Sequence, residues 1–398
     1  MFESWPLKKL GDCLEIQNGH AFPSKQFDAD LGMQLIRIRD LKNGFTTQMK
    51  FQGEYDQRFV VNKGDLLIGM DGEFVCHEWK GEPSLLNQRV CRLQNFSSEL
   101  LPRFVYYGIN KYLKVIEDNT SYTTVKHLSG KKIKDIDFPI PPLKEQQRIV
   151  NILDDAFANI NLSLTKLQQK IPSLLELFQS HLNRLFDSKD EHWNEHTLEE
   201  ISEALITKGA TPTTYGFPFV DEGITFLRSE CVSDHGFEPN GIRYISEEAN
   251  VHMKRSIVKG GDVLISITGY LGRVVRYPTH MDDGNINQHI ARVRINNETI
   301  NPDFIVYQLQ SERIQNHYRD VYTGTAQPLL SLKQIRETVV FIPPITVQHE
   351  IIDSLNNFYV QTREIEGKYQ TRLDSLAELK QSMLQEAFSG KLTGGITA

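Results

Sequence analysis

Several stretches of this 398-residue sequence carry residue types that could do chemistry. Asn301-Pro302-Asp303-Phe304 approaches the Asn-Pro-Pro-Tyr/Phe loop of adenine methyltransferases, but the second proline is missing. Leu101-Pro102-Arg103-Phe104 has the same outline without that chemistry, and a helix start accounts for both, since proline suits the first helical position. Asp65, Asp71 and Glu78-Trp79-Lys80 outline the Asp…Glu-x-Lys set of metal-dependent nucleases. The related block 259–269 keeps Asp262 and lacks Glu-x-Lys. Lys-Gly-Asp and Lys-Gly-Gly-Asp instead read as tight turns closed by Asp65 and Asp262 ahead of buried strands. The sequence has no Gly-x-x-x-x-Gly-Lys-Ser/Thr loop, no Gly-rich strand-to-helix loop for S-adenosylmethionine and no spaced nucleophile set. What remains is recognition. Hydroxyls and cations at Ser121, Thr123, Thr124, Lys126 and His127, and Thr323, Thr325 and Gln327 in the matching segment, suit phosphate oxygens and base edges.

Further candidates for such contacts lie nearer the start of each half. In the first are His20 and Lys25 in a polar loop, with Arg37 and Arg39 on an expected strand Leu35-Ile36-Arg37-Ile38-Arg39-Asp40, where alternation puts both arginines on one face. Lys42 follows. In the second are Lys208, Thr211, Thr213 and Thr214, then Arg228 and Arg273. Asn87-Gln88-Arg89-Val90 recurs as Asn287-Gln288-His289-Ile290. Its amides can bridge loops or read adenine edges.

The elements that must position these residues come in duplicate. Pro141-Pro142-Leu143-Lys144-Glu145-Gln146 opens a run of heptad-spaced apolar residues ending near Phe186. Pro343-Pro344-Ile345-Thr346-Val347-Gln348 opens another ending at Phe388, at a constant offset of 202. The expected seams run through Ile149, Leu153, Ile160, Leu167, Leu174 and Leu177, and through Ile351, Leu355, Phe358, Ile365, Leu376 and Leu379. Pro172, whose counterpart is Asp374, predicts a bend in the first helix only. Two long helices of matched length favour pairing with each other. The fold class is therefore α+β: two globular α/β domains and two long helices in an antiparallel coiled coil, with internal pseudo-twofold symmetry. The boundaries are 1–140, 141–188, 189–342 and 343–398. The two domains share a framework and differ in their loops.

A net charge of −7 is unusual for a free-standing nucleic-acid protein, so contact with DNA would rest on local basic loops or on partners. Four scattered cysteines without a Cys-x-x-Cys pair read as reduced thiols of a cytoplasmic protein and argue against zinc. The first residues do not form a signal peptide, and no apolar run approaches the ~18 residues of a membrane span.

In this order the motifs resemble the specificity subunit of type I restriction–modification systems. The resemblance rests on the duplicated Pro-Pro-x-x-x-Gln helix openings, the Lys-Gly-(Gly)-Asp-x-Leu-Ile blocks and the helix tails before Phe186 and Phe388-Ser389-Gly390, and it covers nearly the whole chain. It departs at Pro172 and in lacking a glycine after Phe186. It implies two target-recognition domains, each reading one half of a bipartite double-stranded DNA sequence, held apart by the helices. It also implies a non-catalytic chain without a metal or cofactor of its own. Two modification subunits would bring S-adenosylmethionine and methylate adenine, and two restriction subunits would use ATP and Mg2+ to translocate and cut. The alternatives are the specificity subunit of a related two-component system and a structural coiled-coil adaptor.

Overall fold

A computed structural model describes residues 5–42, 47–120, 126–187, 193–234, 236–295, 298–323 and 328–392. The chain divides into two compact units, 1–166 with 371–398, and 167–370. Each unit holds one globular body and one end of each long helix.

In the first unit a short antiparallel pair, Leu7–Lys9 with Asp137–Pro139, closes the body on itself. A four-stranded antiparallel sheet runs in the order Glu15–Asn18, Val90–Gln94, Leu66–Gly69, Cys76–Glu78. A second sheet pairs Met33–Ile36 parallel with Ser84–Leu86, flanked by Lys50–Phe51 and Val60–Val61. Every residue of Leu66–Gly69 is buried, as an unbroken apolar run in a central strand requires.

The second unit repeats this plan. Asn194–Thr197 pairs with Val339–Ile342. The four-stranded sheet runs Thr207–Lys208, Ile290–Val293, Val263–Ser266, Val274–Arg276. The parallel pair recurs as Ile224–Leu227 with Gly284–Ile286, flanked by Arg243–Ile245 and Ile257–Val258. The duplication thus reaches a parallel strand pair in each body.

The turn aspartates behave as expected. Asp65 accepts the Asn62 N–H at 2.9 Å, and Asp262 accepts the Lys259 N–H at 2.7 Å. Arg92 and Arg294 then pair with them at 2.9 and 2.7 Å. Asn301 caps the helix Pro302–Gln310 by accepting the Asp303 N–H, so its Asn-Pro sequence is a helix start.

The long helices span Leu143–Asp187, 45 residues, and Ile345–Ala387, 43 residues. At ~1.5 Å per residue each is over 60 Å long. The first runs through Pro172 as one helix, with that proline on an exposed face. Gly390, at φ +75°, turns the chain after the second, and the Lys391 N–H returns to the Glu386 carbonyl.

The glutamine of each Pro-Pro-x-x-x-Gln opening is wholly buried and fully bonded. Gln146 Nε2 donates to the Glu99 and Pro141 carbonyls at 2.7 and 2.8 Å, and its Oε1 accepts the Leu101 N–H at 2.9 Å. Gln348 does the same with Thr299 at 3.1 Å, Pro343 at 2.8 Å and the Asn301 N–H at 2.8 Å. The glutamine ties the root of the long helix to the start of an earlier helix of the same unit, the one that begins at Pro102 or at Pro302. At the far ends, Phe388 stacks 4.8 Å from Phe104, beside Trp5, in the first unit. Phe186 packs 5.3 Å from Phe304, beside Trp193, in the second. The start of one helix therefore meets the end of the other within each unit, which is antiparallel pairing.

The buried stripe departs from strict heptads. Ile149, Leu153, Ile160, Leu167, Ile351 and Leu355 are buried, and Leu174, Phe358 and Leu376 are half-buried. Leu177, Ile365 and Leu379 face solvent instead, at 53, 37 and 48% exposure. Their inward places are taken one residue later by Phe178, Glu366 and Lys380, all half-buried. A helix of 3.6 residues per turn drifts about 20° per heptad against a 3.5 repeat, and over this length the stripe advances by one residue.

Candidate nucleic-acid interface

In each unit the sheet loops converge at one end of the central strand. In the first unit, Gly19 packs so closely on the Asn87 carbonyl that a Cβ would overlap it. This brings His20 beside the Asn87-Gln88-Arg89 turn, and the Gln88 N–H donates to the His20 carbonyl at 3.0 Å. The chain after Leu66–Gly69 delivers Asp71, which forms a β-bridge with His127. Asp71 then holds two side chains: His127 Nδ1 lies 2.8 Å from Oδ1, and Arg89 Nη1 donates to Oδ2. Burial opposes the Asp71 charge, yet the bonds from His127 and Arg89 keep its pKa below the ordinary carboxylate value. The Arg89 and His127 side chains remain two-thirds exposed. The result is an aimed, solvent-facing pair of arginine and imidazole beside an amide side chain, groups that suit base edges and phosphates. His20 also meets Phe22 edge-to-face at 4.9 Å and Phe59 at a tilt at 5.1 Å, with Arg58 4.7 Å over Phe59.

The other first-unit candidates are placed less directly. Residues 35–40 are not one strand: Met33–Ile36 is a strand and Ile38–Lys42 a short helix. The Asp40 carboxylate accepts the Arg37 N–H at 2.7 Å and ends the strand there, so the two arginines do not share a strand face. Arg37 lies 3.6 Å from Asp40, Arg39 is exposed on the helix, and Lys42 pairs with Glu73. Lys126 is largely buried, 3.9 Å from Glu117. Lys25 is exposed on a single helical turn, Ser24–Gln26. Ser121, Thr123, Thr124, Thr325 and Gln327 lie outside the described residues.

The second unit builds the same corner from other side chains. Gly209 lies against the Ile286 and Asn287 carbonyls as Gly19 lies against Asn87. Lys208 is exposed at the end of its strand. Thr211 Oγ1 donates to Gln288 Oε1 at 2.6 Å, and Gln288 Nε2 lies 2.8 Å from His289 Nε2. Thr213 and Thr214 are exposed on the turn Pro212–Tyr215. Thr268 bridges to Leu329 where Asp71 bridges to His127, and Thr323 pairs with Leu329 across the loop. Arg273 lies 4.0 Å over the exposed Tyr270 and pairs with Asp234 at 2.5 Å. Arg228 stands apart, donating to the Gly241 carbonyl and pairing with Glu230.

Sequence reasoning singled out the Asn-Gln-Arg and Asn-Gln-His turns but left Arg89 and His289 out of its candidates. The signal was a basic residue in the same place after both Asn-Gln pairs. All four cysteines are buried thiols, and burial pushes Cys91 up to about 12 and Cys231 up to about 11. No group of three metal-ligating side chains occurs among the described residues.

Residues 3–173 and 190–374 each match the family described as type I restriction modification DNA specificity domain. The chain belongs to this family. It is 32% identical to the type I restriction enzyme EcoBI specificity subunit of Escherichia coli, over 98% of this chain and 87% of that protein. It is 23% identical to the EcoKI specificity subunit of Escherichia coli, over 98 and 90%. The Methanocaldococcus jannaschii MjaVIII specificity subunit is 20% identical over 89 and 86%. Among solved structures, a chain from work on complex assembly and conformational transition of the type I R-M system matches with a TM-score of 0.76 at 18% identity, over 98% of this chain and 99% of that one. The HsdS subunit from Thermoanaerobacter tengcongensis matches at 0.57 and 16%, over 98% of each chain. Two matched domains agree with the two bodies and their repeated sheets. No helix among the described residues is long and apolar enough to cross a membrane.

Proposed function

We propose that this chain is the DNA-reading subunit of a type I restriction–modification complex, each unit reading one half of an asymmetric, two-part target. One observation carries the reading: the same glycine-seated corner appears in both units and presents Arg89, His127 and Gln88 in one, Gln288, His289 and Lys208 in the other. Identical frameworks with unlike side chains suit two unlike half-sites. The long helices set the gap between them, as spacing is set in dimeric readers. Contact with DNA falls to His20, Arg89, His127 and Arg39 in the first unit and to Lys208, Thr213, Thr214, Gln288 and His289 in the second.

The chemistry belongs to partners in the cytoplasm. Two modification subunits supply S-adenosylmethionine and methylate adenine, and two restriction subunits use ATP and Mg2+. With a net charge of −7 the isolated chain binds DNA weakly and gains affinity from those partners. The test is to map methylated adenines in a host carrying this chain and its modification subunit. The expected result is one non-palindromic motif in two parts with a fixed gap. A palindromic motif, or methylation indifferent to this chain, would overturn the reading.

A further inference from the structure

A cleft of about 1110 Å³ opens in the first unit between the helix Pro102–Asp118 and the ends of the two long helices. Its floor is aromatic, with Tyr106, Phe157 and Phe388, and lysines 80, 111, 380 and 391 ring it. Lys380 sets its character. Its ammonium lies 4.9 Å from the Phe157 ring centre and 3.4 Å from Asn161 Oδ1. Among the described residues no carboxylate pairs with it. Burial, then the charge of Lys80, lowers its pKa. Glu78 and Asp154, two acids of the lining, are already taken by Arg103 at 2.6 Å each. A half-buried cation ordinarily has an anionic partner, and this one has a ring, an amide and a second lysine.

The second unit keeps an open cleft of about 870 Å³ at the equivalent place, lined by Gln179, Ser180, Asn183 and Arg184 and by the acids Glu176, Asp187 and Glu312, and fills the place of Lys380 with a ring. Phe178 stands where Lys380 stands and Tyr359 where Phe157 stands, by the same offset of 202. Phe178 packs 5.7 Å from Tyr359, 6.4 Å from Phe358 and 6.5 Å from Tyr307. Pro278 and Ser311 replace Lys80 and Lys111. Rings and acids line in one unit what lysines ring in the other.

We propose that this cleft is a docking site for an acidic, amphipathic segment of a partner subunit, and that only the first unit offers it. Aromatic rings call for apolar side chains, and the unpaired lysines call for carboxylates beside them. The strand register favours protein over DNA as the occupant. Leu66 pairs with Glu78 and Ile68 with Cys76, so Glu78 and Lys80 lie at the opposite end of the sheet from Asp71 and Arg89. A complex with two copies of one partner would then be asymmetric, one copy held by a contact the other lacks.

The inference rests on the proposed function in taking the modification subunit as the probe. The full chain is acetylated with an amine-reactive ester near neutral pH, alone and assembled with purified modification subunit, and each lysine is followed by mass spectrometry. Lys380 and Lys80 should react several-fold more slowly in the assembly, and Lys25 should not change. Equal rates at Lys380 would overturn the docking site. Protection by DNA alone would make the occupant nucleic acid. Faster reaction of the free chain on truncation after Leu392 would make it the chain's own tail. Lys380→Met with Lys80→Gln keeps the packing stem and removes both charges. Native mass spectrometry should then show one modification subunit held as before and the second about ten-fold more weakly, a difference of about 1.4 kcal/mol. Equal effects on both copies, or none, would sink the one-sided contact. The methylation map is read independently, so either result leaves the two-part target standing or falling on its own.

Discussion

The two units solve one packing problem with opposite charges. In the first, Glu78 at the end of the sheet pairs with Arg103 on the adjoining helix at 2.6 Å. In the second, the same two places hold Arg276 and Asp303, again 2.6 Å apart. The long helix follows the swap. Asp154 completes the first cluster with Arg103 and Tyr107, while its counterpart, Asn356, accepts from Tyr307 at 2.6 Å. An aspartate at 356 would add a second negative charge near Asp303. Duplication therefore preserved geometry and complementarity, not residue identity. At the loop corner, where Arg89 is held by Asp71 and His289 lies against Gln288, the units differ in residue type and in partner.

The largest effects are expected where the units agree. Gln146→Leu and Gln348→Leu each remove three hydrogen bonds and strand a buried N–H and buried carbonyls. Each should cost about 3 kcal/mol, at ~1–3 kcal/mol for a buried group left unsatisfied. Urea unfolding resolved by hydrogen exchange should localise each loss to its own unit. A cost below about 1 kcal/mol for either would show that the helix root is held by something else.

Next come the proposed DNA contacts. Arg89→Ala should cost about 1–3 kcal/mol in binding by the assembled complex, the worth of a good base contact. It should relax one position of one half-site, and His289→Ala should relax the other half-site only. Loss spread evenly over both halves in the methylation map would reassign these residues to general phosphate contact. Arg39→Ala should weaken binding less and mainly reduce its salt dependence.

The charge swap is subtler. Glu78→Arg or Arg103→Asp alone should destabilise the first unit by about 1 kcal/mol, because partly exposed pairs are worth little more. Glu78→Arg, Arg103→Asp and Asp154→Asn together reproduce the second unit's set and should recover most of that loss. Additive losses would mean the two clusters are not equivalent.

Acid gives the smallest difference. Asp28, Asp71, Glu117 and Asp154 all sit below the ordinary carboxylate range, and all belong to the first unit. A carboxyl with a depressed folded pKa stabilises fully above its unfolded value, about 4, and loses that contribution as pH falls through the folded value. The first unit should therefore open before the second as pH drops below about 4. Asp71→Asn should narrow the gap, and simultaneous opening would contradict it.

Much of this was legible in the sequence because it was written twice. Heptads, Pro-Pro-x-x-x-Gln and Lys-Gly-Asp each gain force from recurrence, and the framework they mark is where the units coincide. The heptads could not show that the stripe would slip from Leu177 to Phe178 and from Leu379 to Lys380, because supercoil depends on the partner. The strand reading of 35–40 failed on a local hydrogen bond: Asp40 captures the Arg37 N–H and starts a helix against the alternating pattern. Arg89 escaped notice because its exposure and its aim come from Asp71, eighteen residues away in sequence and adjacent only in the fold.

The buried glutamines fix the angle of each long helix at its root. Gln146 and Gln348 prevent their helices from swivelling about their own axes unless three bonds break. A residue inserted beyond either root turns every later side chain by about 100°, whereas seven bring the face almost back to its starting bearing. Changes in reach should therefore come in heptads.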